Sequence, residues 1–335
     1  MRKTKRWVLL GIGFVLIGAI AANVLAYNHA KAMLRFSAAR ARTGPVEGLS
    51  FKEKVQVLVL GVDNPRPKST LTPAQEGLPF EENLVPGPNG IKLATWYLPV
   101  PRASGLVILY HGYASEKSTL LENAKGFREL GYSTLLVDFR GSGGSSEAYT
   151  SVGYDEAEDV VATVGYAKAH FPPTKLVLFG HSMGGAAVLR AVGRLGVQPD
   201  AVIIEAVFDR MLTTVKHRFE AMHVPSFPSA WLLLFWGGKQ LGFDAFQHNP
   251  VDYATGVTCP VLFFHGKEDA RARVEEARRV FEEVRGPKEF REFSGSGHHS
   301  PVVKFPEEWK AAVKAFLESH GLGAETNSAT MPSGK

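Results

Sequence analysis

The sequence predicts a mostly parallel α/β sheet with helices on both faces, preceded by a membrane-spanning helix and carrying a small helical cap. Three observations predict it. From residue 91 to about 320, short continuous apolar runs alternate with segments of helical spacing, as in strands buried on both faces and joined by crossover helices. One such run leads through Gly180-His181-Ser182-Met183-Gly184 directly into a helix. Trp7–Tyr27 carries no charge and follows the basic start Met1–Arg6. A chain of 335 residues, 45% hydrophobic and 21% charged, has a globular balance and room for a sizeable core.

The first element is the uncharged run. Its 21 residues, at about 1.5 Å each, reach roughly the 30 Å of a bilayer's hydrocarbon. A cleaved signal peptide competes with this reading, because Ala19-Ile20-Ala21 and Val24-Leu25-Ala26 offer small-residue cleavage sites. The run exceeds the ~7–15 apolar residues of a signal peptide, which favours an uncleaved anchor over residues 7–27 within an anchor-and-linker segment 1–45. Four basic residues (Arg2, Lys3, Lys5, Arg6) precede the span and four (Lys31, Arg35, Arg40, Arg42) follow it. The first cluster lies closer, favouring the N-terminus inside and the remaining chain periplasmic or extracellular. These eight cations explain the net charge of +5, since the other 30 basic residues face 33 acidic ones. No basic stripe is left elsewhere, so nucleic acid is not an expected partner.

Residues 46–90 read as an extended, proline-punctuated approach, with Val55–Leu60 open to either a helix or a strand. The main domain is expected over 91–320. Its strands are Ile91–Leu98, Leu106–Tyr110, Ser133–Val137, Lys175–Phe179, Ala201–Ala206, Val261–His265 and Lys288–Phe293. Its helices are Glu122–Leu130, Asp155–His170, Met183–Leu195, Arg271–Val284 and Pro306–His320. Residues 209–250 break the rhythm with Trp231-Leu232-Leu233-Leu234-Phe235-Trp236, an expected cap insertion whose aromatics could line a pocket. Residues 321–335 read as a disordered tail. The single Cys259, beside an apolar run, reads as a structural thiol.

The chemistry centres on Ser182. Glycines two before and two after it permit a tight strand-to-helix turn, and the helix N-terminus favours a developing oxyanion. A serine hydroxyl needs a base, and the base needs an orienting carboxylate. Downstream, Val261–His265 ends in a loop with Glu268 and Asp269, of which Asp269 is the expected acid. The strand Lys288–Phe293 leads into Ser294-Gly295-Ser296-Gly297-His298-His299, and His298 is preferred to His299 as the base. The amides of Met183 and of Tyr113, in the loop His111-Gly112-Tyr113-Ala114, are the expected oxyanion hole. His111 itself reads as a residue that fixes this loop.

In this order, His111-Gly112, Asp138-Phe139-Arg140-Gly141-Ser142-Gly143, Gly180–Gly185, His265–Asp269 and Gly297-His298 resemble the α/β-hydrolase superfamily over residues 90–320. The resemblance is to bacterial membrane-anchored esterases and lysophospholipase-like enzymes, including the Bem46-type branch. It implies the α/β-hydrolase fold, a structural role for the Asp-x-Arg-Gly loop, and cleavage of a small-molecule or lipid-like ester through an acyl-enzyme. Acyl transfer by the same triad is the alternative, and a non-catalytic binding role is disfavoured by the intact triad. A serine at the turn disfavours the aspartate-nucleophile branches, and no propeller-like domain supports a peptidase. No cofactor is implied. His217, His223 and His248 lack ligand-like spacing, so no metal is expected.

Overall fold

The computed structural model describes residues 2–38, 43, 50–171 and 175–323. Two helices come first, α1 (Arg2–Leu34) and α2 (Phe51–Leu60). The main domain then runs β1 (Glu81–Pro86), β2 (Lys92–Leu98), β3 (Gly105–Tyr110), α3 (Leu121–Glu129), β4 (Ser133–Val137), α4 (Glu156–His170), β5 (Lys175–His181) and α5 (Met183–Leu195). It continues with β6 (Ala201–Glu205), α6 (Met211–Ala221), α7 (Ser229–Leu241), α8 (Pro250–Ala254), β7 (Val261–Gly266), α9 (Val274–Glu283), β8 (Lys288–Phe293) and α10 (Pro306–Ser319).

The eight strands form one sheet in the order β1-β2-β4-β3-β5-β6-β7-β8. Pairing is antiparallel for β1 with β2 and for β2 with β4, and parallel from β4 to β8. Both faces of the inner strands are apolar, which explains their unbroken runs. Leu106, Ile108 and Tyr110 of β3 pack with Val160, Val188 and Val280 under α4, α5 and α9. Val107 and Leu109 point to the other face, with Phe127, Trp309 and Phe316 of α3 and α10. From β3 the chain goes first to β4 on one side and later to β5 on the other. That reversal opens a crevice at the carboxyl ends of β3 and β5, the usual place for a ligand in an open α/β sheet.

Several boundaries differ from expectation. Of the expected approach, Val55–Leu60, left open to a helix or a strand, belongs to α2, and Glu81–Pro86 forms a sheet strand instead of an extended approach. Strand β1 was not legible because only Val85 of Glu81–Pro86 is buried, so an edge strand shows no apolar run. Helix α9 starts at Val274, not Arg271, because the Arg271 and Ala272 amides are held by Asp269 Oδ1, at 2.8 and 3.0 Å. The first residues of the expected tail are packed: Leu322 is buried and its carbonyl accepts the Tyr132 hydroxyl. The rest of that tail, from 324, lies outside the described residues, as do 39–42 and 44–49 of the linker. Cys259 is half-buried, and burial pushes its thiol up to about 11.

Helix α1 is longer than the expected span. From Lys5 to Leu34 it is long and apolar enough to cross a membrane. Its first turns stand free, with Trp7, Phe14 and Ile17 exposed, whereas Ala30 near its end is buried. The Trp236 indole donates to Asn23 Oδ1 (3.0 Å), and Gln240 Nε2 donates to the Tyr27 carbonyl (3.0 Å), so the end of α1 lies along α7. Residues 28–34 stay helical despite their polar start because they pack on the cap.

Candidate active site

Strand β5 passes into α5 through Ser182, whose φ of 52° and ψ of −112° lie outside the ordinary regions for a side-chain-bearing residue. The turn closes only because its flanks are glycine. A Cβ on Gly180 would stand 2.6 Å from the Gly184 carbonyl, and one on Gly184 would stand 2.3 Å from the Tyr110 carbonyl oxygen. The Ser182 amide is tied to the Glu205 carbonyl at 2.7 Å. The strained conformation is therefore held from both neighbouring strands.

The loops after β7 and β8 meet this turn. His298 Nε2 lies 3.0 Å from Ser182 Oγ, and His298 Nδ1 lies 2.7 Å from Asp269 Oδ2. Asp269 Oδ1 is occupied by the amides of Arg271 and Ala272. With its carboxylate buried and satisfied, Asp269 accepts the Nδ1 proton, which leaves Nε2 as the acceptor facing the serine hydroxyl. His299 and Glu268, the neighbours passed over in the sequence, are exposed.

Burial lowers the affinity of His298 for a proton, and the hydrogen bond to Asp269 only partly offsets it, so its pKa lies below the ordinary histidine value. For Asp269 burial acts upward, but His298 and the two amides outweigh it and hold the carboxyl below its usual range. In both groups the result is the pairing of a neutral imidazole with an ionised carboxylate near neutral pH.

On the other side of Ser182 runs the loop after β3. The Phe139 amide donates to His111 Nε2 (3.1 Å), so Nδ1 carries the proton and donates to the Gly112 carbonyl (2.8 Å). His111 is fully buried, which lowers its pKa and keeps it neutral. It clamps the loop, and Gly112 lies close enough that a Cβ there would sit 3.6 Å from Ser182 Cβ. Tyr113 follows, and Met183 is the first residue of α5, where amides lack intrahelical acceptors. The Asp-x-Arg-Gly stretch is likewise internal. Asp138 Oδ1 accepts the Lys117 amide at 2.8 Å and Oδ2 the Gly144 amide at 2.9 Å, while Arg140 pairs with Asp159 at 2.7 Å.

Next to Tyr113 lies a cavity, partly open to solvent, walled by apolar residues such as Val152, Met211, Leu234 and Phe243. Among the described residues no carboxylate lines it and the one charged side chain that does is Arg218, whose guanidinium stands 5.1 Å from the Tyr113 ring. Sequence reasoning missed two contributors. Glu205 supports both the Ser182 amide and the Trp309 indole (2.6 Å), and its only signal was an acid closing an apolar strand. Ala30, Met33 and Leu34 of α1 also line the cavity, and nothing local in the sequence signals that.

The chain is similar to several known proteins. The model of the serine aminopeptidase S33 family matches residues 101–237, which include Tyr113, Ser182 and Met183 and stop short of Asp269 and His298. Protein YqkD of Bacillus subtilis is 25% identical over 239 residues, 70% of this chain and 78% of its own. Lysophosphatidylserine lipase ABHD12 of Danio rerio is 30% identical over 192 residues, covering 53% of this chain and 47% of that lipase. Among solved structures, the Pyrococcus furiosus esterase Pf2001 superposes with a TM-score of 0.63 at 23% identity, over 77% of this chain and 99% of that one. That likeness shows the fold.

Proposed function

We propose that this chain, which belongs to the α/β-hydrolase superfamily, is a hydrolase that cleaves carboxylic esters through an acyl-enzyme on Ser182. The observation that carries the reading is the unbroken chain from Asp269 through His298 to a serine oxygen in a strained turn. His298 Nε2 takes the proton of Ser182 as its oxygen bonds to the ester carbonyl carbon. The negative charge that forms on the carbonyl oxygen is met by the amides of Met183 and Tyr113. His298 then gives its proton to the departing alkoxide, and the C–O bond to the alcohol breaks. A water, losing its proton to the same nitrogen, attacks the acyl-enzyme, and the serine leaves with that proton. Asp269 holds the productive tautomer throughout.

The cavity favours an ester over an N-terminal peptide. An aminopeptidase must hold an ammonium group, yet this cavity offers a guanidinium and apolar walls. The name of the zebrafish relative, a lysophosphatidylserine lipase, points the same way, to an amphipathic ester. The basic cluster Arg2–Arg6, at the start of α1 and ahead of its apolar run, supports an anchor with the catalytic domain periplasmic or extracellular. The test is turnover of p-nitrophenyl esters by the purified full chain. Hydrolysis is expected, with Ser182→Ala lowering it roughly 10⁴-fold or more. Turnover that survives Ser182→Ala would refute the assignment.

A further inference from the structure

The end of α1 has two neighbours that an inert anchor would not need. One is the cavity, which Ala30, Met33 and Leu34 line together with Val215 and Phe243. The other is the loop beside the nucleophile, where the Tyr113 hydroxyl donates to the Met33 carbonyl at 2.6 Å; from the β4–α4 connection, Thr150 N also donates to the Leu34 carbonyl at 2.9 Å. The anchor is thus hydrogen-bonded to the residue proposed for the oxyanion hole.

Helix length sets the depth of this contact. The 33 residues of α1 span about 50 Å at about 1.5 Å each, well beyond the roughly 30 Å of bilayer hydrocarbon. If Trp7 marks one edge of the hydrocarbon, about 20 residues carry the helix across, ending near Ala26. Ala30–Leu34 then stand about 6–12 Å further, in and just outside the headgroup layer. The surroundings suit that depth. Tyr27 and Trp236 meet edge to face there, as aromatics do at membrane interfaces. Helix α2 is tied to α1 by Asn28 Nδ2 donating to the Val59 carbonyl (2.8 Å) and buries none of its residues. It leaves Phe51 84% and Leu58 60% exposed, and Phe227 at the cap is 72% exposed. Such side chains, continuous with a bare span, fit a lipid surface.

We infer that the last turns of α1 are part of the substrate site, closing the cavity at headgroup depth so that a long-chain ester is taken directly from the leaflet beside the anchor. This rests on the ester-hydrolase reading. The acyl chain lies against Ala30, Met33 and Leu34 while its carbonyl carbon reaches Ser182, so the anchor selects for membrane-resident esters as well as holding the enzyme in place.

The test uses the full chain in phosphatidylcholine vesicles and a dodecyl fluorophosphonate with a photoreactive diazirine at the chain end. Expected are a covalent adduct on Ser182 and, after illumination, crosslinks within residues 24–35. An adduct on Ser182 with crosslinks confined to the cap, or to lipid alone, would overturn the inference and leave the hydrolase reading intact. No adduct on Ser182 would remove the reading on which the inference depends. In parallel, Ala30→Phe should lower the ratio of kcat/KM for dodecanoyl over acetyl p-nitrophenyl esters roughly tenfold. An unchanged ratio in the folded variant would also overturn the inference.

Discussion

Around Ser182, atoms are placed by hydrogen bonds of 2.7 to 3.0 Å and by glycines whose replacement would drive a Cβ into a carbonyl. Around the neighbouring cavity, by contrast, the walls are side chains such as Met33, Leu234 and Phe243, placed by apolar packing. Hydrogen-bonded geometry is directional and tolerates almost no displacement, whereas apolar packing tolerates exchange of side chains of similar volume. On the proposed reading, the turn suits a reaction that demands fixed geometry, and the cavity suits a choice of substrate that can drift with its lining. The two regions meet at Tyr113.

This contrast can be broken at the base. His298→Ala removes the only imidazole within reach of Ser182 Oγ among the described residues, and should lower ester turnover roughly 10⁴-fold or more. His299→Ala, an exposed neighbour without a role in that chain, should retain most of it. Steady-state rates of the two variants decide the matter, and reversed results would exchange their roles. The pH profile sharpens the same point. His298 acts as a base only when neutral, and burial holds its pKa below the ordinary value of about 6.5. The acid limb of kcat/KM should accordingly fall below pH ~6.5, with a plateau through neutrality. A limb centred above that value would contradict the environment described for His298.

The cavity side should respond more gently. Trp236→Ala removes the bond to Asn23 and the edge contact with Tyr27, loosening α1 from the cap. A loss of a few-fold in kcat/KM is expected for long-chain esters, with little change for acetyl esters; equal losses on both would place Trp236 in general stability.

The same division explains what the sequence discloses. Ser133–Val137, Met183–Leu195 and Lys288–Phe293 have the ends expected from pattern, because turn residues bound each of them. The residues that meet at Ser182 were nameable because each sits in a short local motif at the carboxyl end of a strand. The cavity was legible only in outline, as a pocket lined by the expected cap insertion. Its wall joins Met33 to Phe243, residues that are neighbours only after the sheet, the cap and α1 have assembled. Glu205 escaped notice for a related reason, since its partner Trp309 comes from a helix on the far face of the sheet. Edge strand β1 was hidden because solvent covers most of its side chains.

The account rests on Ser182 as an activated nucleophile, and reaction of the folded full chain with a small fluorophosphonate tests this most directly. Mass spectrometry should find one adduct, on the peptide containing Ser182, formed quickly in the native chain and slowly in Asp269→Asn. A folded protein that gains no adduct on Ser182, or gains it on another serine, would contradict the central claim.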